Sequence, residues 1–271
     1  MQKLRDLNHL SEIFHSYDTY IIDLWGVMHN GISLNPKAIE VVENLSENSK
    51  KIVFLSNAPR PSSKVIEFLR RMKMSEKFLS KVITSGEAAM HAINQNKFGK
   101  KFYHLGPSRD QSIFEKLSKN KTSLNGCDFI LCTGLFEEHE KDLNYYKDLL
   151  KDHISKKFIC TNPDLIVHRG NIEELCAGAV AKTFETLGGK VIYYGKPYKE
   201  IYAMCFNLGE KVLAIGDNLR TDIKGANNLN LDSLFIYNGV HRNEIKNDEE
   251  LPALLKRYNV KTNFFQRELK W

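Results

Sequence analysis

The 271-residue chain is 42% hydrophobic and 27% charged, with a formal net charge of +6. This is the balance of an ordinary globular protein with a proper core, of roughly two domains by length. It argues against a transmembrane chain, since no apolar run nears the ~20 residues a span needs; Met1 to Leu7 is charged and does not read as a signal segment; and nucleic-acid binding has no module behind it, since no basic block is interleaved with aromatics.

In chain order, Leu4, Leu7, Leu10, Ile13 and Phe14 share one face at helical spacing, which predicts an amphipathic helix over residues 4–16. Tyr20-Ile21-Ile22 then reads as a short buried parallel strand that carries Asp23 inward before Gly26 ends the run. A carboxylate is costly to bury without a partner or a task. Pro36 opens a helix containing Ile39, Val42 and Leu45, and Lys51 to Leu55 is a second strand, ending in Ser56 and Asn57. Strand, helix, strand predicts a right-handed βαβ unit. Pro59 and Pro61 break the chain before a helix reaching about Met72, with Ser62 or Ser63 as its cap.

The middle of the chain alternates, which predicts a further α/β unit. Strands are expected at Phe102 to Leu105, Phe129 to Cys132 and Phe158 to Cys160. Helices are expected at Ala88 to Asn94, Gln111 to Leu117, Leu143 to Ile154 and Ala177 to Leu187, the last closed by Gly188-Gly189. A strand at Val191 to Tyr194 follows and ends in Gly195-Lys196-Pro197. Then come a helix from Lys199 to Leu208, a strand from Val212 to Ile215 ending in Asp217 and Asp222, a helix after Thr221, a strand at Leu234 to Tyr237 and a helix at Leu251 to Tyr258. No element is assigned from Val260 to Trp271. Cys127, Cys132, Cys160, Cys176 and Cys205 have neither disulfide nor zinc spacing and read as buried thiols of a reducing compartment, the cytoplasm by default.

Four strands thus end in a carboxylate, a hydroxyl, an ammonium and a pair of carboxylates. If they lie parallel and side by side, these groups converge where open α/β sheets bind ligands. The set suits a divalent cation together with a phosphoryl group.

These four motifs, in this order, resemble the haloacid dehalogenase-like (HAD) superfamily of aspartyl phosphotransferases. The middle insertion, with Thr161-Asn162-Pro163-Asp164 and Cys176-Ala177-Gly178-Ala179, resembles its subclass IIA. That subclass has a large α/β cap and includes 4-nitrophenyl phosphatases, nucleotide monophosphatases and pyridoxal phosphatases. The resemblance implies a doubly wound, Rossmann-like parallel-sheet core at residues 1–84 and 189–271 and an inserted α/β cap at 85–188. It implies a cytoplasmic, Mg²⁺-dependent phosphatase that acts on a small phosphorylated metabolite through an aspartyl phosphate, with no nucleic-acid or membrane partner. A homodimer is compatible with it.

The resemblance also assigns roles. Asp23 is the nucleophile and a metal ligand, Asp217 the second carboxylate ligand, and Asp222 a group in the shell behind it. Trp25 would lend the metal its backbone carbonyl. Lys196 would neutralise nucleophile and phosphate, and Ser56 and Asn57 would bind the phosphate. Asn162 and Asp164 would touch substrate, or form an Asx turn, and His168 and Arg169 could meet an anionic group. The chain departs from the family at Asp23-Leu24-Trp25-Gly26, where Asp-x-Asp-Gly is usual. An indole cannot release a proton near neutral pH, and general acid–base catalysis is typically worth 10²–10⁴-fold. His29 is a candidate substitute because histidine titrates near neutrality. The departure keeps open a catalytically weak or inactive phospho-ligand sensor as the alternative. Haloacid dehalogenases proper also carry an aromatic residue there and act without metal, but both Asp217 and Asp222 persist here.

Overall fold

A computed structural model describes residues 4–271. Its strands, in chain order, are β1 (Arg5–Asp6), β2 (Thr19–Ile22), β3 (Lys51–Ser56), β4 (Val82–Thr84), β5 (Phe102–Leu105), β6 (Phe129–Cys132), β7 (Lys157–Cys160), β8 (Ile166–Arg169), β9 (Ile172–Leu175), β10 (Val191–Tyr193), β11 (Val212–Gly216), β12 (Asp232–Ile236) and β13 (Phe264–Gln266). The helices are α1 (Pro36–Glu47), α2 (Ser62–Arg71), α3 (Ser85–Asn94), α4 (Leu143–Leu150), α5 (Ala177–Thr186), α6 (Lys199–Tyr202), α7 (Lys224–Asn228) and α8 (Leu251–Tyr258).

Among the described residues the strands form three sheets. The central one has the order β1-β13-β12-β11-β2-β3-β4, with every pairing parallel. Alternation along β2 turns Tyr20 and Ile22 to one face, where they meet Val41, Val42 and Leu45 of α1 and Leu69 of α2. Ile21 faces the other way, onto Ile201, Tyr202 and Cys205. Being covered on both faces is what makes these strands nearly continuous apolar runs. Asn35 caps α1, accepting from the Lys37 N–H, just before the proline that its sequence marks.

The second sheet, β10-β7-β6-β5, is also parallel. One face packs on Tyr146 and Leu150 of α4 and Val180 and Phe184 of α5. The other packs on Ala92 and Ile93 of α3. The third element is an antiparallel hairpin of β8 and β9. No helix among the described residues is long and apolar enough to cross a membrane.

The fold differs from the sequence-based expectation in several places; the helix expected from Lys199 to Leu208 ends at Tyr202, the β8–β9 hairpin has no counterpart in the expectation, and four further differences follow. Residues 4–16 hold no α-helix. Arg5–Asp6 pairs with β13, and two short 3-10 turns, Leu10–Glu12 and Phe14–Ser16, follow. Leu7, Leu10, Ile13 and Phe14 are buried as their spacing implies, but edge pairing and the turns satisfy the backbone instead. Residues 108–120 likewise form two 3-10 turns rather than one helix. The tail after Val260 supplies β13, which lies between β1 and β12. Finally, β10 pairs with β7 and not with the central sheet, Val191 opposite Phe158. The chain therefore crosses back to the central sheet after Tyr193, not at Gly188-Gly189.

Candidate active site

The strand order reverses between β2 and β11, and a crevice opens at their carboxyl ends. Asp23 leaves β2 there, 7% exposed, its N–H donating to the Ile215 carbonyl at 2.9 Å. Asp217 leaves β11, and one of its oxygens accepts from the Val240 N–H at 2.7 Å. Asp222 lies one turn on, accepting from the Asn218 N–H at 3.1 Å. One oxygen from each of these three buried carboxylates lies within 4.8 Å of the others. The approach demands glycine at Gly26, whose φ is +92° and whose added Cβ would sit 2.0 Å from an Asp217 oxygen; only glycine takes this conformation without strain.

Lys196 reaches the same point although its strand belongs to the other sheet. Its N–H donates to Asn57 Oδ1 at 2.8 Å, and Asn57 Nδ2 donates back to the Lys196 carbonyl at 3.2 Å. This paired contact, next to Gly195 at φ +116°, delivers the side chain into the crevice. The buried ammonium donates to Asp23, to Asp222 at 2.7 Å and to the Leu55 carbonyl at 3.0 Å. Ser56, buried at the end of β3, accepts from the Ala58 N–H at 3.2 Å, which leaves its own O–H to donate.

Charge at this point is unbalanced. Burial pushes the Asp23 carboxyl up to about 8, with the Lys196 ammonium pulling it down and Asp222 pushing it further up. Burial also raises Asp217 well above the ordinary range, with Asp23 and Asp222 adding repulsion. Asp164 is raised by burial too. Burial works against the charge on Lys196, but Asp222, Asp23 and Asp164 outweigh it and hold the ammonium protonated. One ammonium faces four carboxylates, and hard oxygens converging in this way fit a divalent cation.

Asp164 and Asn162 come from the loop after β7. Asn162 Oδ1 accepts from the Asp164 N–H at 3.0 Å, so this turn is an Asx turn. Asp164 Oδ1 accepts from Asn218 Nδ2 and the Thr221 hydroxyl, both at 3.0 Å. Asp164 thus binds the loop that carries Asp217 and Asp222.

Trp25 is turned toward the β8–β9 hairpin. Its indole N–H donates to the His168 carbonyl at 2.9 Å, and the Arg169 guanidinium lies 5.1 Å from the ring centre. Arg169 also pairs with Glu174 at 2.9 Å. Gly31, at φ +84°, packs on the indole so closely that a Cβ would lie 2.5 Å from it. The hairpin is further held by Gly170, whose N–H donates to the Asn30 carbonyl at 3.0 Å and whose carbonyl accepts from Arg242 at 2.8 Å.

The surroundings of His29 disfavour it as a substitute acid. Burial, with Arg169 as a lesser cause, pushes it down to about 4, its Nδ1 accepts from the Gly31 N–H at 3.1 Å, and its ring packs edge-on against Trp25 and Phe68. The loop position of His29 in the sequence gives no sign of this enclosure. A cavity of about 1230 Å³ opens from Asp23 and Ser56 toward Arg60, Asp164, Glu174 and Arg242. Sequence patterns did not reveal the hairpin, nor His241, which contacts the Asp217 loop. The one signal for the latter, a histidine three residues before Glu244, is too common to have found it.

Two family descriptions match the chain: haloacid dehalogenase-like hydrolase over residues 20–118 and HAD-hydrolase-like over residues 193–257. The 5'-nucleotidase YutF of Bacillus subtilis is 27% identical over 246 residues, covering 86% of this chain and 92% of that protein. The ribonucleotide monophosphatase NagD of Escherichia coli K12 is 26% identical over 225 residues, covering 81% and 87%. A haloacid dehalogenase-like hydrolase from Brucella suis superposes with a TM-score of 0.85 at 28% identity, covering 98% of this chain and all of that one. The p-nitrophenyl phosphatase of Archaeoglobus fulgidus shares the fold, with a TM-score of 0.69 at 20% identity over 93% of this chain and 96% of that one. The crevice at the strand-order reversal, its carboxylates and lysine, and these matches agree: the chain belongs to the haloacid dehalogenase-like hydrolases.

Proposed function

We propose that this protein is a Mg²⁺-dependent phosphatase of a small phosphorylated metabolite, working through an aspartyl phosphate on Asp23. The observation that supports it most is the Lys196 ammonium bridging Asp23 and Asp222 beside Asp217. The names of the relatives, a 5'-nucleotidase and a ribonucleotide monophosphatase, support the substrate class.

In this reading an Asp23 oxygen attacks phosphorus as the ester P–O bond breaks. Lys196, the Ser56 hydroxyl and the Asn57 backbone hold the phosphoryl oxygens. Water then attacks phosphorus, releasing inorganic phosphate and returning the Asp23 carboxylate. Asp23, Asp217 and the Trp25 carbonyl would hold Mg²⁺, with Asp222 behind them. The ion would offset the charge of both the carboxylates and the phosphoryl group. In this assignment residues 1–84 and 189–271 form the core and 85–188 the cap, except that β10 (Val191–Tyr193) pairs with β7 and so goes with the cap, which moves the second boundary to about residue 194.

The leaving oxygen must find its proton without help from residue 25. The indole N–H is already committed to His168, and His29 is held neutral. Aryl and acyl phosphates, which leave without a proton, are therefore the favoured substrates. The same contact favours the second reading, a phospho-ligand sensor with weak turnover. Hydrolysis of an aryl phosphate and of a panel of phosphorylated metabolites, with and without Mg²⁺ and with Asp23→Asn as control, separates the two. Mg²⁺-dependent turnover lost in the mutant supports the phosphatase; tight phosphate-ester binding with no turnover supports the sensor.

A further inference from the structure

The loop that presents Asp217 and Asp222 is held from behind by a polar cluster with no place in the chemistry above. Leu219 is fully buried, and its backbone N–H donates to His241 Nε2 at 3.0 Å. His241 is itself 1% exposed. Because Nε2 accepts, the ring proton sits on Nδ1, and that nitrogen donates to Glu244 Oε1. Glu244 is fixed in turn from α8. The Tyr258 hydroxyl reaches both of its oxygens at 2.7 and 2.8 Å, and Arg257 pairs with it at 3.1 Å. The His241 ring packs edge-on against Tyr258 at 4.8 Å, and the Arg220 guanidinium covers the Tyr258 ring at 4.6 Å.

The same turn grips the loop a second time. Val240, next to His241, donates its N–H to Asp217 at 2.7 Å. A Cβ added to Gly239 would lie 2.0 Å from an Asp217 oxygen. Residues 239–241 therefore touch the loop at the carboxylate and again two residues on, at the Leu219 amide. Without the imidazole that amide would be a buried donor with no acceptor, and the loop would have to shift to solvate it.

We infer that His241, backed by Glu244, is a positioning residue that sets the geometry of the Asp217–Asp222 loop and so its affinity for the divalent cation. This rests on the metal-binding reading above. The nearest precedent in physical terms is the outer-shell partner of a metal ligand, whose loss typically costs 10–100-fold in metal affinity or activity.

The test uses the full chain. A glutamine amide oxygen reaches about as far as Nε2, whereas an asparagine amide reaches only as far as Nδ1. His241→Gln therefore keeps the acceptor for Leu219, and His241→Asn removes it. Direct calorimetric titration with Mg²⁺ alone, without substrate, should show affinity weakened at least about tenfold in His241→Asn, and most of it recovered in His241→Gln. Hydrogen-exchange mass spectrometry on residues 217–223 should show protection lost in the asparagine variant and kept in the glutamine one. At saturating Mg²⁺, KM for an aryl phosphate should move less than kcat. Equal Mg²⁺ affinity and equal exchange in wild type and both variants would overturn the proposal. So would equal losses in both variants that track global unfolding. If wild type binds no Mg²⁺, the metal reading fails, and exchange at 217–223 still decides: unchanged protection in His241→Asn overturns the brace, and selective loss sustains it as a loop-positioning device.

Discussion

The indole N–H of Trp25 donates to the backbone carbonyl of His168, 143 residues away in the chain, at 2.9 Å. The residue standing where the family usually has an acid therefore ties the loop after β2 to the β8–β9 hairpin that lines the cavity. Its ring is half-buried between Gly31, His29 and Arg169.

Trp25→Phe keeps an aromatic ring but removes the N–H donor together with part of the indole's packing on Gly31 and His29. It should destabilise the protein by at least about 1 kcal/mol, the net worth of one hydrogen bond, as read by urea denaturation. Trp25→Asp removes the ring as well and should cost about 3 kcal/mol, the low end for a large aromatic, since the indole is only partly buried. Normalised to folded protein, Trp25→Asp should speed alkyl phosphates by up to ~10²-fold and aryl phosphates little. Equal gains for both ester types would show that a missing acid does not limit turnover.

Asp23→Asn should abolish hydrolysis if Asp23 is the nucleophile, because an amide does not form the proposed aspartyl phosphate. It should also stabilise the metal-free protein. The Asp23 carboxyl is pushed from 3.8 up to about 8 by burial. A carboxyl raised on folding binds its proton more tightly in the native state, so ionising it favours unfolding as pH rises from about 4 to 8. The stability gain of Asp23→Asn in chelator should be small near pH 4 and grow to at least ~1.4 kcal/mol, one pKa unit, by pH 8. Mg²⁺ should shrink that gain. A gain that is flat with pH would contradict the burial argument.

Asp217→Ala removes a carboxylate that the proposed function makes a metal ligand. Its apparent Mg²⁺ affinity should drop by more than the ~10–100-fold typical of outer-shell partners, as measured from the Mg²⁺ dependence of aryl phosphate hydrolysis. An unaltered midpoint would place the ion elsewhere.

Asp164→Ala leaves Asn218 Nδ2 and the Thr221 hydroxyl without their shared acceptor. It should cost about 1–3 kcal/mol and loosen residues 217–223 in hydrogen exchange. Asp164→Asn keeps an acceptor oxygen and should lose less. If both variants matched wild type in exchange, the loop after β7 would not brace the Asp217–Asp222 loop through this residue.

Much of this protein follows from its sequence alone. The apolar runs before Asp23, Ser56 and Asp217 are local patterns, and a strand buried on both faces has to be written that way. Each ends in a polar residue at the same edge of a parallel sheet, so the meeting of Asp23, Ser56, Asp217 and Asp222 is legible in the residue order itself. The succession of the motifs is enough to name the family.

Tertiary structure decided what depends on distant partners. Val191–Tyr193 has the same apolar signature whether it pairs with β7 or with the central sheet, since strand pairing is made between segments that local pattern does not connect. The tail strand Phe264–Gln266 and the β8–β9 hairpin carry weak local patterns and are ordered by their neighbours. The neutral state of His29 and the raised carboxyls of Asp23 and Asp217 come from desolvation, which exists only once the chain has closed around them. The direction of the Trp25 indole is of the same kind: the sequence shows that an acid is absent, and only the folded chain shows that the indole N–H in its place is bound to His168.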